Sequence, residues 1–137
     1  MLATTASTAL TILESSPQLF TTLEAHMSLL RATLDPLEAI HIPSHPLSPL
    51  IHIQLAGAPP TSMAEIESEE ALLQEVVDET LRNGVLVTRA RRLRGQERFE
   101  IRPSIKVCLT SALSRKEVEK AAGTLKTALA KVLKKRS

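Results

Sequence analysis

Ser48-Pro49-Leu50-Ile51-His52-Ile53-Gln54-Leu55 decides the fold when set beside Pro103-Ser104-Ile105-Lys106-Val107-Cys108-Leu109. Each stretch opens near a proline, which has no N–H to give to a ladder and is tolerated at the start of a strand. Each then alternates with a period of two, so that successive side chains point to opposite faces of a sheet. Ile51, Ile53 and Leu55 share one face, with Leu50, His52 and Gln54 on the other. Ile105, Val107 and Leu109 oppose Ser104, Lys106 and Cys108 in the same way. Two such strands predict a sheet whose apolar face is covered and whose other face is left open.

Working outward, helices flank these strands. Residues 66–82 carry a stripe of Leu72, Leu73, Val76, Val77 and Leu81, with Glu67, Glu69 and Glu70 at the end where the helix dipole favours acidic groups. Asn83-Gly84 stops this helix, since glycine accepts the left-handed cap conformation. A short strand is expected over residues 85–88, then a polar connection over residues 89–102. Ser114-Arg115-Lys116-Glu117 is a capping box that starts a last helix, with Val118, Ala121, Ala122, Leu125, Leu129, Val132 and Leu133 on one face. Upstream, residues 37–42 are a further strand candidate. Residues 3–15 can form a helix with Ala6, Leu10 and Leu13 aligned. Ser16-Pro17 restarts the chain, Ser as a cap and Pro at the first helical position. The helix that follows aligns Phe20, Leu23, Met27, Leu30 and Leu34 and ends at Asp35-Pro36.

The predicted class is α/β of the α+β kind: a mostly antiparallel sheet with the last two helices on one face, preceded by two helices. Residues 1–35 form the leading helical segment and residues 36–137 the small α/β domain. Helical residues follow Met1 at once, which reads as a chain started inside a longer frame.

Composition excludes more than it assigns. Phe20 and Phe99 are the only aromatic residues among 137, so the core is aliphatic and base stacking has little to work with. A net charge of +2 gives no global field. The basic residues of 89–98 and 131–136 read as a solvated loop and a dipole-favoured helix end; nucleic-acid binding through 89–98 is the weakest of the functional alternatives. Cys108 has no disulfide partner and, in an alternating strand, reads as a small packing residue. His26, His41, His45 and His52 lack the spacing of a metal site and read as surface or turn residues. Four scattered glycines make no phosphate loop. No apolar run approaches the ~20 residues of a membrane span, and no signal peptide is visible.

The ordered set of Ser48-Pro49 with its strand, Leu72-Leu73-Gln74-Glu75-Val76-Val77-Asp78, Asn83-Gly84-Val85, Thr88-Arg89-Ala90-Arg91 and Pro103-Ser104-Ile105-Lys106-Val107 resembles the C-terminal end of the α-oxoamine synthases. Within them it is most similar to the serine palmitoyltransferases, on the side of the first long-chain-base subunit. Ser114-Arg115-Lys116-Glu117-Val118-Glu119-Lys120-Ala121-Ala122 fits that family's closing helix. Leu10-Thr11-Ile12-Leu13-Glu14 with Pro17-Gln18-Leu19-Phe20 fits the segment leading in. The resemblance implies the small domain of a fold-type-I pyridoxal-phosphate enzyme that condenses serine with palmitoyl-CoA, the first step of sphingolipid synthesis. It implies a heterodimer with a catalytic subunit, at the cytosolic face of the endoplasmic reticulum membrane, attached through other segments or partners. A piece expressed alone would be cytoplasmic. The cofactor lysine belongs to the large domain, so no catalytic or cofactor-binding residue and no metal site is expected in this chain. Lys106 falls where catalytic relatives carry the arginine that binds the substrate carboxylate. A lysine there offers a point charge in place of a planar fork. The implied role is supporting and inactive alone. The alternative is a stand-alone interaction module of the same fold, which would bind another chain through the apolar seam of residues 6–34.

Overall fold

A computed structural model of the chain describes residues 2–91 and 101–134. The elements run α1 (Leu2–Ser15), α2 (Gln18–Leu34), β1 (Ile40–His41), β2 (Leu50–Leu55), α3 (Met63–Arg82), β3 (Thr88–Arg89), β4 (Ile105–Cys108) and α4 (Arg115–Lys134). The four strands form one antiparallel sheet in the order β1-β2-β4-β3. This is the predicted α+β architecture.

The two strands that decide the fold are its centre. Register pairs Ile51 with Val107 and Ile53 with Ile105, so four β-branched side chains meet on one face. They are buried there with Leu72, Leu73, Val76 and Val77 of α3, Ala122, Leu125, Ala128, Leu129 and Val132 of α4, and Leu30 and Leu34 of α2. The core is aliphatic throughout, as a chain almost without rings requires. Burying a side chain of this kind contributes roughly 1.5–3 kcal/mol.

Several boundaries differ from expectation, each for a local reason. The strand expected over residues 37–42 shortens to Ile40–His41. The Leu37 and Ile40 amides donate to Leu34 and Leu37 carbonyls in turns leaving α2, and Pro43 ends the strand. The strand expected over residues 85–88 becomes Thr88–Arg89. Gly84 takes φ +80° and the Val85 amide folds back onto the Thr80 carbonyl, so the helix stop uses the backbone that would have paired. Helix α3 begins three residues before 66, because Ser62 and Glu65 form a second capping box. Leu81, placed on the buried stripe, is exposed; Thr80 is fully buried instead, its hydroxyl donating to the Val76 carbonyl at 2.6 Å.

The leading helices divide unexpectedly. Met27, Leu30 and Leu34 of the predicted seam are buried, Leu23 is half-buried, and Phe20 is 51% exposed. Every residue of α1 from Ala3 to Ser15 is exposed, including Leu10 at 61% and Ile12 at 52%. Pro17 at the start of α2 has helical backbone angles and no side-chain cap.

Candidate functional site

The face of the sheet turned away from the helices is the candidate site. Lys106 stands at its middle, directly opposite His52 on β2 and Thr88 on β3. Cys108 lies opposite Leu50 on the same face, and both are exposed. Lys106 and His52 are half-buried. Ser104 is the exception on this face, only 3% exposed, and its hydroxyl is 2.9 Å from His52 Nδ1. The Ser104–His52 bond fixes the imidazole beside Lys106. Among the described residues no carboxylate pairs with Lys106, so its charge is held on a rigid strand and left for something outside them.

Both central strands are anchored at their starts. Ser48 closes the turn before β2 by donating to the Leu50 carbonyl at 2.8 Å and accepting from the Leu50 amide. The His52 amide, on the side where β1 has already ended, donates to Ser44 Oγ at 2.8 Å. Arg31 Nη1 then donates to the Ser44 carbonyl at 3.3 Å, tying this edge to α2. Ahead of β4, Arg102 grips Glu69 of α3 with two parallel bonds of 3.1 and 2.6 Å, and its Nη1 donates to the Gly57 carbonyl. Bidentate geometry fixes direction as well as distance. Arg89 ties β3 to the same helix through Gln74 and Glu70. The sequence reading left Arg102 and Arg89 in a polar connection. Their signal was faint: an i, i+1 pair of acidic residues, Glu69 and Glu70, half-buried on a helix whose other face is core. The rest of the basic run, residues 92–98, lies outside the described residues.

Three carboxylates are held below their ordinary range. Glu79, almost buried between α3 and α4, accepts from Lys131 Nζ at 2.6 Å, and that bond is the main cause; Arg82 adds to it. Glu65 is lowered first by the Thr61 amide, and Glu117 by the Ser114 amide, both at helix starts. These are structural anchors, remote from Lys106 in the fold's layering.

The histidines separate. His45 is a turn residue whose Nδ1 accepts from the Leu47 amide, and His41 is exposed. His26 is not a surface residue: it is 3% exposed, and its Nδ1 donates to the Thr110 carbonyl at 3.1 Å, pinning α2 to the loop before α4. Its neighbours were the available signal: Met27 beside it and Leu23, Leu29 and Leu30 three and four residues away put it on the apolar side of the helix. Cys108 is exposed and does not pack as expected. Among the described residues no group of three His, Cys, Asp or Glu side chains converges as metal ligands, and no helix is long and apolar enough to cross a membrane. The open face does not by itself fit pyridoxal phosphate. Such a group needs a cradle of backbone N–H groups for its phosphate. Gly57 and Gly84 are spent in separate turns and Gly123 lies within α4, so among the described residues no such cradle flanks Lys106.

Comparison with known proteins bears on the family and the fold, and the chain belongs to the serine palmitoyltransferase family. No family model matches the chain. It is 30% identical to "Serine palmitoyltransferase 1" of Dictyostelium discoideum over 136 residues, covering 96% of this chain and 28% of that protein. It is 39% identical to "Serine palmitoyltransferase 1" of Saccharomyces cerevisiae over 64 residues, 46% of this chain and 12% of that protein. The chain thus spans about a quarter of the length of the first relative. Among solved structures, a Bacillus anthracis aminotransferase superposes with a TM-score of 0.60 at 18% identity, over 92% of this chain and 27% of that one. At that identity the likeness speaks for the fold, which is that of a small aminotransferase-like domain. The resemblance read from the sequence therefore holds along nearly the whole chain, α1 and α2 included.

Proposed function

We propose that this chain serves as the small domain of a serine palmitoyltransferase first subunit, in a supporting role in the condensation of serine with palmitoyl-CoA. The observation that carries this reading is the continuous similarity to serine palmitoyltransferase 1 over 96% of the chain. The open face supports it: a sheet closed by helices behind presents Lys106, which pairs with no carboxylate among the described residues, to whatever lies in front. In this reading Lys106 faces the cofactor cleft of the assembled enzyme and attracts the carboxylate of the amino-acid substrate as a point charge. The Ser104–His52 bond keeps the neighbouring ring from swinging across it. Pyridoxal phosphate and its lysine come from outside these residues, and the catalytic subunit is the partner. The setting is the cytosolic face of the endoplasmic reticulum membrane, reached through other segments or partners.

The test is titration of the purified chain with pyridoxal phosphate, followed by co-expression with a serine palmitoyltransferase catalytic subunit. The expected result is no stoichiometric visible band of lysine-bound cofactor in the chain alone, and co-purification of the two chains. A one-to-one band in the isolated chain, or failure to co-purify, would sink the reading.

A further inference from the structure

The backbone register brings a second polar group close beside Lys106. In an antiparallel pair, facing residues alternate between those that exchange backbone hydrogen bonds and those that do not. The Leu109 amide donates to the Pro49 carbonyl, which extends the register of β2 and β4 by one step. Counting inward by twos, Ile51 with Val107 and Ile53 with Ile105 are the bonded pairs. His52 with Lys106 is a non-bonded pair, and the His52 amide accordingly turns the other way, to Ser44 Oγ. Side chains stand closest in such a pair, with Cα atoms about 4.5 Å apart. The imidazole and the ammonium therefore rise side by side from adjacent strands.

The proton on the imidazole follows from Ser104. This residue is 3% exposed, and its hydroxyl has one hydrogen-bond partner among the described residues, His52 Nδ1 at 2.9 Å. If Nδ1 carried the ring proton, it would donate to Ser104 and leave a buried hydroxyl proton without an acceptor, which is costly. The arrangement that satisfies both groups has the Ser104 hydroxyl donating to Nδ1. The ring proton then sits on Nε2, which has no partner among the described residues. The arginines flanking the sheet are already engaged, Arg89 with Glu70 and Arg102 with Glu69.

We propose that His52 Nε2–H and Lys106 Nζ form a two-donor clamp for one small carboxylate, with Ser104 as the positioning residue that sets the ring proton. The second donor supplies what a flexible ammonium lacks: direction, so that the anion is oriented as well as attracted. One ammonium matches the single charge of a carboxylate and leaves a doubly charged phosphate uncompensated. The proposal rests on the reading of Lys106 as a carboxylate-binding group and adds His52 and Ser104 to it.

Titration of the full chain with acetate, followed by nitrogen NMR of the histidine rings, tests it. The expected result is an Nε2–H ring at His52 whose signal moves as acetate binds. His52→Leu should weaken acetate binding about tenfold, the worth of one hydrogen bond to a charged group, and His52→Gln, which keeps a donor, should recover part of it. Ser104→Ala should give a mixture of ring tautomers and looser binding, and Ser104→Thr, which keeps the hydroxyl, should restore both. Lys106→Met should abolish binding. None of these side chains belongs to the aliphatic core, and far-ultraviolet spectra check the fold of each variant. An Nδ1–H ring, or no acetate binding, overturns the clamp. Binding that needs Lys106 but is indifferent to His52→Leu overturns the clamp and leaves Lys106 as a lone carboxylate ligand; binding indifferent to Lys106→Met overturns both. Inorganic phosphate bound more tightly than acetate overturns the assignment to a carboxylate. The same titration on the complex with a catalytic subunit separates a free amino acid from a side-chain carboxylate of another segment. The clamp should still take added acetate there, and a clamp closed to acetate overturns the assignment to a free ligand.

Discussion

At the level of single residues, the side chains that hold the site in place are charged ones that periodicity could not rank. Lys106 was legible because alternation assigns it a face. Arg102 was not, because its meaning depends on Glu69, thirty-three residues away on another element. Its side chain is 13% exposed and Glu69 is 14% exposed, so removing the arginine strands a nearly buried carboxylate. Arg102→Ala should lower the free energy of unfolding by about 3 kcal/mol, read from urea denaturation, and Arg102→Lys should recover only part of that because an ammonium cannot make the fork. Glu79 gives a pH-dependent counterpart. Its folded-state pKa lies below the ordinary value of 4.5, mainly through the Lys131 bond. The unfolded chain therefore takes up protons first as pH falls, and the stabilisation present at neutral pH disappears as pH drops through the folded pKa. Glu65 and Glu117 act in the same sense. The urea midpoint should fall steadily on acidification below 4.5. Glu79→Gln should have a lower midpoint than the parent at pH 7, with the gap closing in acid; a gap independent of pH would contradict this origin.

At the level of elements, what the sequence announced was chiefly where helices begin and where strands alternate. The Ser114–Glu117 box is present as read, with the Ser114 amide donating to Glu117 at 2.7 Å. The equivalent Ser62–Glu65 box was overlooked because acidic residues at 67–70 drew the start of α3 inward. Edge strands were harder. β1 and β3 have two residues each, and their extent is set by turns and caps and not by side-chain pattern. Gly84 shows this: with φ +80° it ends α3, returns the chain toward the sheet and delays β3 to Thr88. Gly84→Ala should cost about 1 kcal/mol through the left-handed backbone alone, since an added Cβ meets nothing within 4 Å. Ser62→Ala should cost about as much by removing a cap. Thermal unfolding of the two single variants and the double variant should show near-additive losses, because the sites sit at opposite ends of α3. A double variant much worse than the sum would mean that α3 frays as one unit.

At the level of the whole molecule, the chain behaves as a body and an appendage. Strands β2 and β4, with α3, α4 and the second half of α2, share one core and should open together. The predicted seam ran continuously from residue 6 to residue 34, and only its end joins that core, through Leu30 and Leu34, with Met27 buried one turn earlier. Periodicity could align those apolar residues but could not tell which surface they meet, since a stripe reads the same whether its partner is in the chain or outside it. The 14 residues of α1 are near the length at which an isolated helix is marginal in water, and α1 has few charges to form stabilising side-chain pairs. Its amides should therefore exchange close to the unprotected rate in dilute protein, while those of Ile51, Ile53, Ile105 and Val107 exchange only on opening of the core. Hydrogen exchange followed by mass spectrometry separates the two classes directly. Protection of α1 that is already complete in dilute protein would place its partner surface within the chain.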